Sequence, residues 1–261
     1  MNRIKKLFSE KKKNILSIYF TAGFPHLDDT GEILQALQKY GVDLVEIGMP
    51  YSDPLADGPV IQHSSTIAIR NGITIKLLFE QLKDCRNKLH VPLILMGYLN
   101  PVMQYGIEKF CMDAHDVGID GIILPDLPLH EFEAEYKFIF EKYRLHIIFL
   151  ITPETSEERI RKIDEADNSF IYAVSSSSIT GAEKNLKAQE SYFQRLKEMN
   201  LKNEIIVGFG IRDHETFSQA CKHAAGAIIG TAYIKAIENS VNIDADTQRF
   251  LGSILQSPLI S

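Results

Sequence analysis

Cysteine is scarce. The 261 residues hold three, Cys85, Cys111 and Cys221, far apart and without CxxC spacing. So few scattered thiols argue against a disulfide framework or a zinc site and suit a reducing cytoplasm. Long apolar runs are also missing. No stretch reaches the ~18 residues of a membrane span, and the opening MNRIKKLFSEKKK is too polar for a signal peptide. Its lysines read as the solvated face of a short lead-in helix. Positive charge is in deficit: a net charge of -6 argues against a general nucleic-acid or anionic-membrane surface. A phosphorylated substrate stays open, because backbone N–H groups bind phosphate without net positive charge. Linkers and low-complexity tracts are lacking apart from Ser175–Ser178, so one domain over residues 1–261 is expected.

What is present is a strand–helix alternation repeated eight times. Short apolar runs rich in Ile, Val and Leu mark strands at Ile15–Thr21, Leu44–Met49, Leu93–Tyr98, Gly121–Leu124, Ile147–Ile151, Phe170–Val174, Ile205–Gly208 and Ala227–Gly230. Such runs are expected where both faces of a parallel strand are covered. Between them, helical periodicity covers Asp28–Tyr40, Thr74–Lys88, Glu131–Tyr143, Ser156–Ala166, Ser191–Met199, His214–His223 and a segment around Thr247–Leu255. The length is near the ~250 residues of one TIM barrel. The fold expected is therefore α/β, a single-domain (β/α)8 TIM barrel. A short N-terminal helix and extra helices near strands 2 and 8 are expected to accompany it.

The second strand reads Leu44-Val45-Glu46-Ile47-Gly48. A carboxylate in an apolar strand is costly unless it is paired or protonated. Period-two alternation puts Leu44, Glu46 and Gly48 on one face. If that face is the interior, Glu46 points toward the C-terminal mouth, where barrels do chemistry, and Gly48 leaves room for a ligand. A structural glutamate paired with a buried base is the alternative. The loop after this strand, Tyr51-Ser52-Asp53-Pro54-Leu55-Ala56-Asp57-Gly58-Pro59, is shaped by two acids, two prolines and a glycine. It can return Asp57 over the mouth. Two carboxylates in different surroundings can divide acid–base labour; two ordinary Asp turns are the bland alternative.

Glycines recur at three late strand ends: Thr180-Gly181, Gly208-Phe209-Gly210 and Gly230-Thr231. Barrels often hold phosphate with the loops after strands seven and eight and a short helix N-terminus. Glycine lets backbone N–H groups approach an anion, and Thr231 adds a hydroxyl. No Lys or Arg is needed at such a site.

The stretches FTAGFP (Phe20–Pro25), VEIGMPYSDPLADGPVIQ (Val45–Gln62), LMGYLNPV (Leu95–Val102), GIILPDLP (Gly121–Pro128), SITGAEKN (Ser178–Asn185), VGFGI (Val207–Ile211) and GAIIGTAYIK (Gly226–Lys235) resemble the tryptophan synthase alpha chain family. The likeness covers nearly the whole chain in order, and SDPLADGP is its most specific segment. It implies cleavage of indole-3-glycerol phosphate, with Glu46 as general acid–base and Asp57 bound to the indole N–H. It further implies an indole pocket of Tyr19, Ile61 and Tyr98, and a Tyr172 that positions substrate. Thr180 and Phe209 join the substrate contacts. Gly181, Gly210, Gly230 and Thr231 hold phosphate. Tyr19 stands where the family often has Phe, and Thr231 where Ser is frequent. The Ser175–Ser178 run replaces a glycine and an arginine common in that loop.

The resemblance also implies an αββα assembly whose pyridoxal phosphate belongs to the β chain, with no cofactor or metal in this one. The matching contact surface is Asp53 and Pro54, Asn100 and Pro101, Asp126 and Pro128. From residue physics alone, Pro125–Pro128 is only a rigid turn. Three other readings remain: a phosphate-binding isomerase barrel, a catalytically silent binding subunit and a free-standing indole-releasing lyase. The Glu46/Asp57 pair argues against the first two.

Overall fold

The computed structural model describes residues 2–54, 57–167, 169–174, 182–208 and 210–256. Its strands are β1 (Ile15–Thr21), β2 (Leu44–Gly48), β3 (Leu93–Met96), β4 (Gly121–Ile123), β5 (His146–Ile147), β6 (Leu150–Ile151), β7 (Phe170–Val174), β8 (Glu204–Gly208) and β9 (Gly226–Ile229). All pair in parallel, in the order β5-β4-β3-β2-β1-β9-β8-β7-β6. Every residue of β1 and β2 is buried, which is why these strands read as apolar runs rather than alternating ones.

The two ends of that order are halves of one extended stretch. Ile148 donates its N–H to Ile122 at 2.9 Å, and the Phe149 carbonyl accepts from Tyr172 at 3.2 Å. Residues 146–151 therefore join both edges, and the sheet closes as a (β/α)8 barrel. The one strand expected over Ile147–Ile151 is split because the stagger of a closed barrel hands its first half to β4 and its second to β7.

The helices are α1 (Arg3–Glu10), α2 (Thr30–Lys39), α3 (Pro59–Asn71), α4 (Ile75–Leu82), α5 (Leu99–Tyr105), α6 (Ile107–Asp116), α7 (Leu129–Glu131), α8 (Lys137–Lys142), α9 (Glu157–Ala166), α10 (Ala182–Glu198), α11 (His214–His223), α12 (Thr231–Ile237) and α13 (Ile243–Leu255). The extra helices are α3, beside strand 2, and α12 with α13 after the last strand. The helix expected over Thr74–Lys88 stops at Leu82, and a short 3₁₀ turn follows at Cys85–Asn87. The stretch Glu131–Tyr143 is interrupted by a π turn at Phe132–Tyr136 between α7 and α8.

Helix α1 plugs the N-terminal end of the barrel. Ile4 and Phe8 are buried, Ile4 lies against Gly121 at the start of β4, and the Phe8 ring is 5.8 Å from Phe170 at the start of β7. Arg3 and Arg86 pair with the buried Asp120 at 3.1 and 2.6 Å, and Asp120 also accepts the Leu93 N–H. With that end closed, the strand C-termini are left to form the site.

Candidate active site

Strand register fixes which side chains face inward. Tyr19 sits opposite Glu46, Glu46 opposite Ile94, and Gly48 opposite Met96. Ser17 pairs with Ile228, and Tyr172 with Leu150 and Ile206. Tyr19, Met96, Tyr172 and Ile228 all line one cavity of about 380 Å³. Glu46 therefore belongs to the inward row, level with Tyr19 in the register. A small-molecule substrate fits a cavity of this order.

Glu46 is fully buried. Ser17 Oγ donates to its Oε1 at 2.9 Å, while Oε2 has no hydrogen-bond partner among the described residues. Burial raises its pKa to about 8, and the Ser17 bond opposes that rise because it favours the ionised form. Ser17 lies two residues N-terminal to Tyr19, so its bond draws the carboxyl down the barrel, away from the mouth. Consistent with this, Glu46 is not among the residues that line the cavity.

Asp57 does line it, from the loop after β2. Burial pushes its pKa up, and the Tyr98 hydroxyl, donating to Oδ2 at 3.1 Å, pulls it back. The two carboxyls thus differ in kind: Glu46 is sealed and protonated near neutrality, Asp57 is half-buried and supported as an anion. Both influence the hydroxyls of Tyr19 and Tyr172, whose pKa values are raised first by burial and further by these acids.

Other expected residues fall as follows. Tyr19, Ile61, Tyr172, Gly210, Gly230 and Thr231 line the cavity with Asp57. Tyr98 borders an adjoining recess that shares Tyr19, Asp57 and Met96, and its ring packs 5.3 Å from Tyr51. Thr180, Gly181, Phe209 and the Ser175–Ser178 run lie outside the described residues. Gly210 has φ 76°, a left-handed turn that suits glycine, and it turns the chain at the cavity wall.

Three expectations need correction. The space at Gly48 is not left for a ligand: a Cβ there would collide with the Tyr19 hydroxyl, so the notch seats that ring. Gly208 likewise seats the Tyr172 ring rather than opening toward an anion. Nor is the glycine end of the cavity free of cations. Arg212 and Lys235 both line it, one just after Gly210, the other one helical turn beyond Thr231. The signal for Lys235 was its i+4 spacing from Thr231. Ser17 and Met96 were also missed; period-two alternation puts Ser17 on the Tyr19 face, but nothing in the sequence ties it to Glu46.

Around the rim, Asp53, Asn100 and Asp126 are exposed. Asn100 donates to the Tyr51 hydroxyl at 3.2 Å, the Asp126 carboxylate accepts the Leu99 N–H at 3.0 Å, and Pro128 precedes α7. Pro54 is half-buried and accepts the Asp57 N–H at 3.0 Å. The loops after β2, β3 and β4 are thereby tied together. Among the described residues no cluster of His, Cys, Asp and Glu could hold a metal, and no helix is long and apolar enough to cross a membrane.

The family model described as the tryptophan synthase alpha chain matches residues 5–254. A relative from Phocaeicola vulgatus with that name is 54% identical over 98% of this chain and 99% of its own. Another from Flavobacterium johnsoniae is 56% identical over 97% and 100%. Among solved structures, tryptophan synthase subunit alpha from Legionella pneumophila has a TM-score of 0.88 at 34% identity, covering 98% of both chains. A chain of the tryptophan synthase complex from Pyrococcus furiosus has a TM-score of 0.84 at 30% identity, covering 95% of this chain and 100% of its own.

Proposed function

The chain belongs to the tryptophan synthase alpha chain family, and on that premise we propose how its site carries out the family's lyase reaction. That reaction cleaves indole-3-glycerol phosphate to indole and glyceraldehyde 3-phosphate. Indole is a poor leaving group until C3 is protonated. Glu46 supplies the proton: its carboxyl is largely un-ionised at neutral pH, as an acid catalyst must be. Protonation leaves positive charge on the indole nitrogen, which Asp57 stabilises by accepting the N–H. Glu46, now a carboxylate, takes the proton of the glycerol hydroxyl beside the scissile bond. The C–C bond breaks, its electron pair restores the neutral indole, and the hydroxyl carbon becomes the aldehyde.

For contact with substrate, the Glu46 carboxyl must leave Ser17 and rotate upward past Tyr19. The Tyr98 hydroxyl aims Asp57 and favours its ionised form against the burial that opposes it. Tyr19, Ile61 and Tyr172 supply the apolar walls for the indole ring, and Gly210, Gly230 and Thr231 face the phosphate. The observation that carries this reading is the pairing of a sealed, un-ionised Glu46 with an Asp57 that stands over the cavity.

The chain works with a β chain, which owns the pyridoxal phosphate and consumes the indole. We read the tied mouth loops, with Asp53, Pro54, Asn100, Asp126 and Pro128, as the contact surface, and all 261 residues as one domain. The unbridged cysteines suit the cytoplasm. The test is indole release from indole-3-glycerol phosphate, with and without a β chain. Release that rises when the β chain is added supports the reading; no release under either condition overturns it.

A further inference from the structure

We infer that Arg212 and Lys235 form a cationic clamp at one end of the cavity, which selects substrates ending in a dianionic phosphate. This rests on the proposed reaction, whose phosphate end it deepens. Both side chains line the cavity at its glycine end, beside Gly210, Gly230 and Thr231. Asp57 lines the same cavity. The cavity is thus electrically polarised, with a carboxylate for an N–H donor and two cations for an anion.

The Arg212 side chain is exposed, but its backbone is held in place. Asp213 caps α11 through a capping box with Thr216, and the Thr216 hydroxyl also accepts the Arg212 N–H at 3.0 Å. Among the described residues its one ion pair is at Nε, 3.4 Å from Asp213 Oδ2. That contact orients the guanidinium while leaving its two terminal nitrogens without a carboxylate, the fork that matches phosphate oxygens. Lys235, likewise exposed, has no carboxylate within ion-pair distance among the described residues. Helix α12 has seven residues, so its dipole is a weaker anion anchor than a longer helix would give. Two cations at the same wall, only one of them paired with a carboxylate among the described residues, make up the difference. Their charge of two matches a phosphate monoester above its second pKa of about 6.

Four variants test this: Arg212→Ala, Lys235→Ala, the double variant and Arg212→Lys. Each single alanine variant should raise KM about three- to tenfold with little change in kcat, and the double variant more. Arg212→Lys should recover only part of the loss, since lysine lacks the fork. Wild-type KM should climb between about 20 and about 300 mM salt, as the Debye length shrinks from roughly 20 to 6 Å, and that slope should flatten in the double variant. Calorimetry with inorganic phosphate gives a reading that needs no turnover. Phosphate should bind the double variant at least tenfold more weakly, with indole affinity unchanged. Unchanged phosphate affinity, or equal weakening of phosphate and indole, would overturn the clamp. Absence of indole release by the wild type would instead count against the proposed reaction.

Discussion

At the scale of single residues, chemistry is set by where each carboxyl sits rather than by which acid it is. Glu46 and Asp57 were both legible in the sequence. One interrupts an apolar strand, the other closes a loop of prolines and glycine that can only stand at the strand end. Ser17 was not legible, because a serine in a strand carries no signal of the partner it meets across the sheet. Yet Ser17 opposes the burial that raises the Glu46 pKa to about 8. Its bond favours the ionised form, so its loss must raise that pKa further. A general acid works in its protonated state, so activity falls as pH rises through the pKa. Ser17→Ala should therefore shift the alkaline limb of the kcat/KM–pH profile, which reports the free enzyme, to higher pH; a shift to lower pH would assign the limb to another group. The same raised pKa makes Glu46 a stability cost. The unfolded carboxyl ionises near 4.3, the folded one near 8, so stability falls with pH across that window. Glu46→Gln should melt higher than the wild type at pH 8 and alike at pH 4, by differential thermal denaturation.

At the scale of elements, strands are better written in the sequence than helices. Buried parallel strands read as unbroken apolar runs, and β1 and β7 coincide with their expected bounds. Helix α3 left no such trace, since it buries Ser64, Ser65 and Ala68 rather than a stripe of large apolar residues. Helices α5 and α6 are separated only by Gly106, and Pro101 in the first turn of α5 masks its helical character. Cross-strand fit is equally hidden. Gly48 and Gly208 look like turn glycines, but each is a notch that receives a tyrosine from the neighbouring strand. Gly48→Ala should push the Tyr19 ring into the cavity. We expect a loss of about 1–3 kcal/mol in stability, as for an overpacked core, and at least a tenfold fall in kcat/KM. A variant with wild-type turnover would show that Tyr19 can give way freely.

At the scale of the whole molecule, the two ends of the barrel divide the work. The N-terminal end is a plug of α1 side chains and the Arg3–Asp120–Arg86 group, and the C-terminal end is the site. Removing Arg86 leaves Asp120, which is 2% exposed, with only Arg3 to neutralise it. Arg86→Ala should cost about 2–4 kcal/mol of stability, read by urea denaturation, without altering KM below the transition. A KM that moved with it would couple the two ends. The barrel itself follows from alternation and length, but its closure through the split strand at residues 146–151 depends on register, which no local pattern encodes. The most direct test of the account is the rate of indole release by Glu46→Gln, whose amide keeps the shape of the acid but cannot give a proton. Glu46 as the acid–base group requires kcat to fall at least about 10²-fold with a melting temperature no lower than the wild type's at neutral pH. More than a few per cent of wild-type turnover in that variant would contradict it.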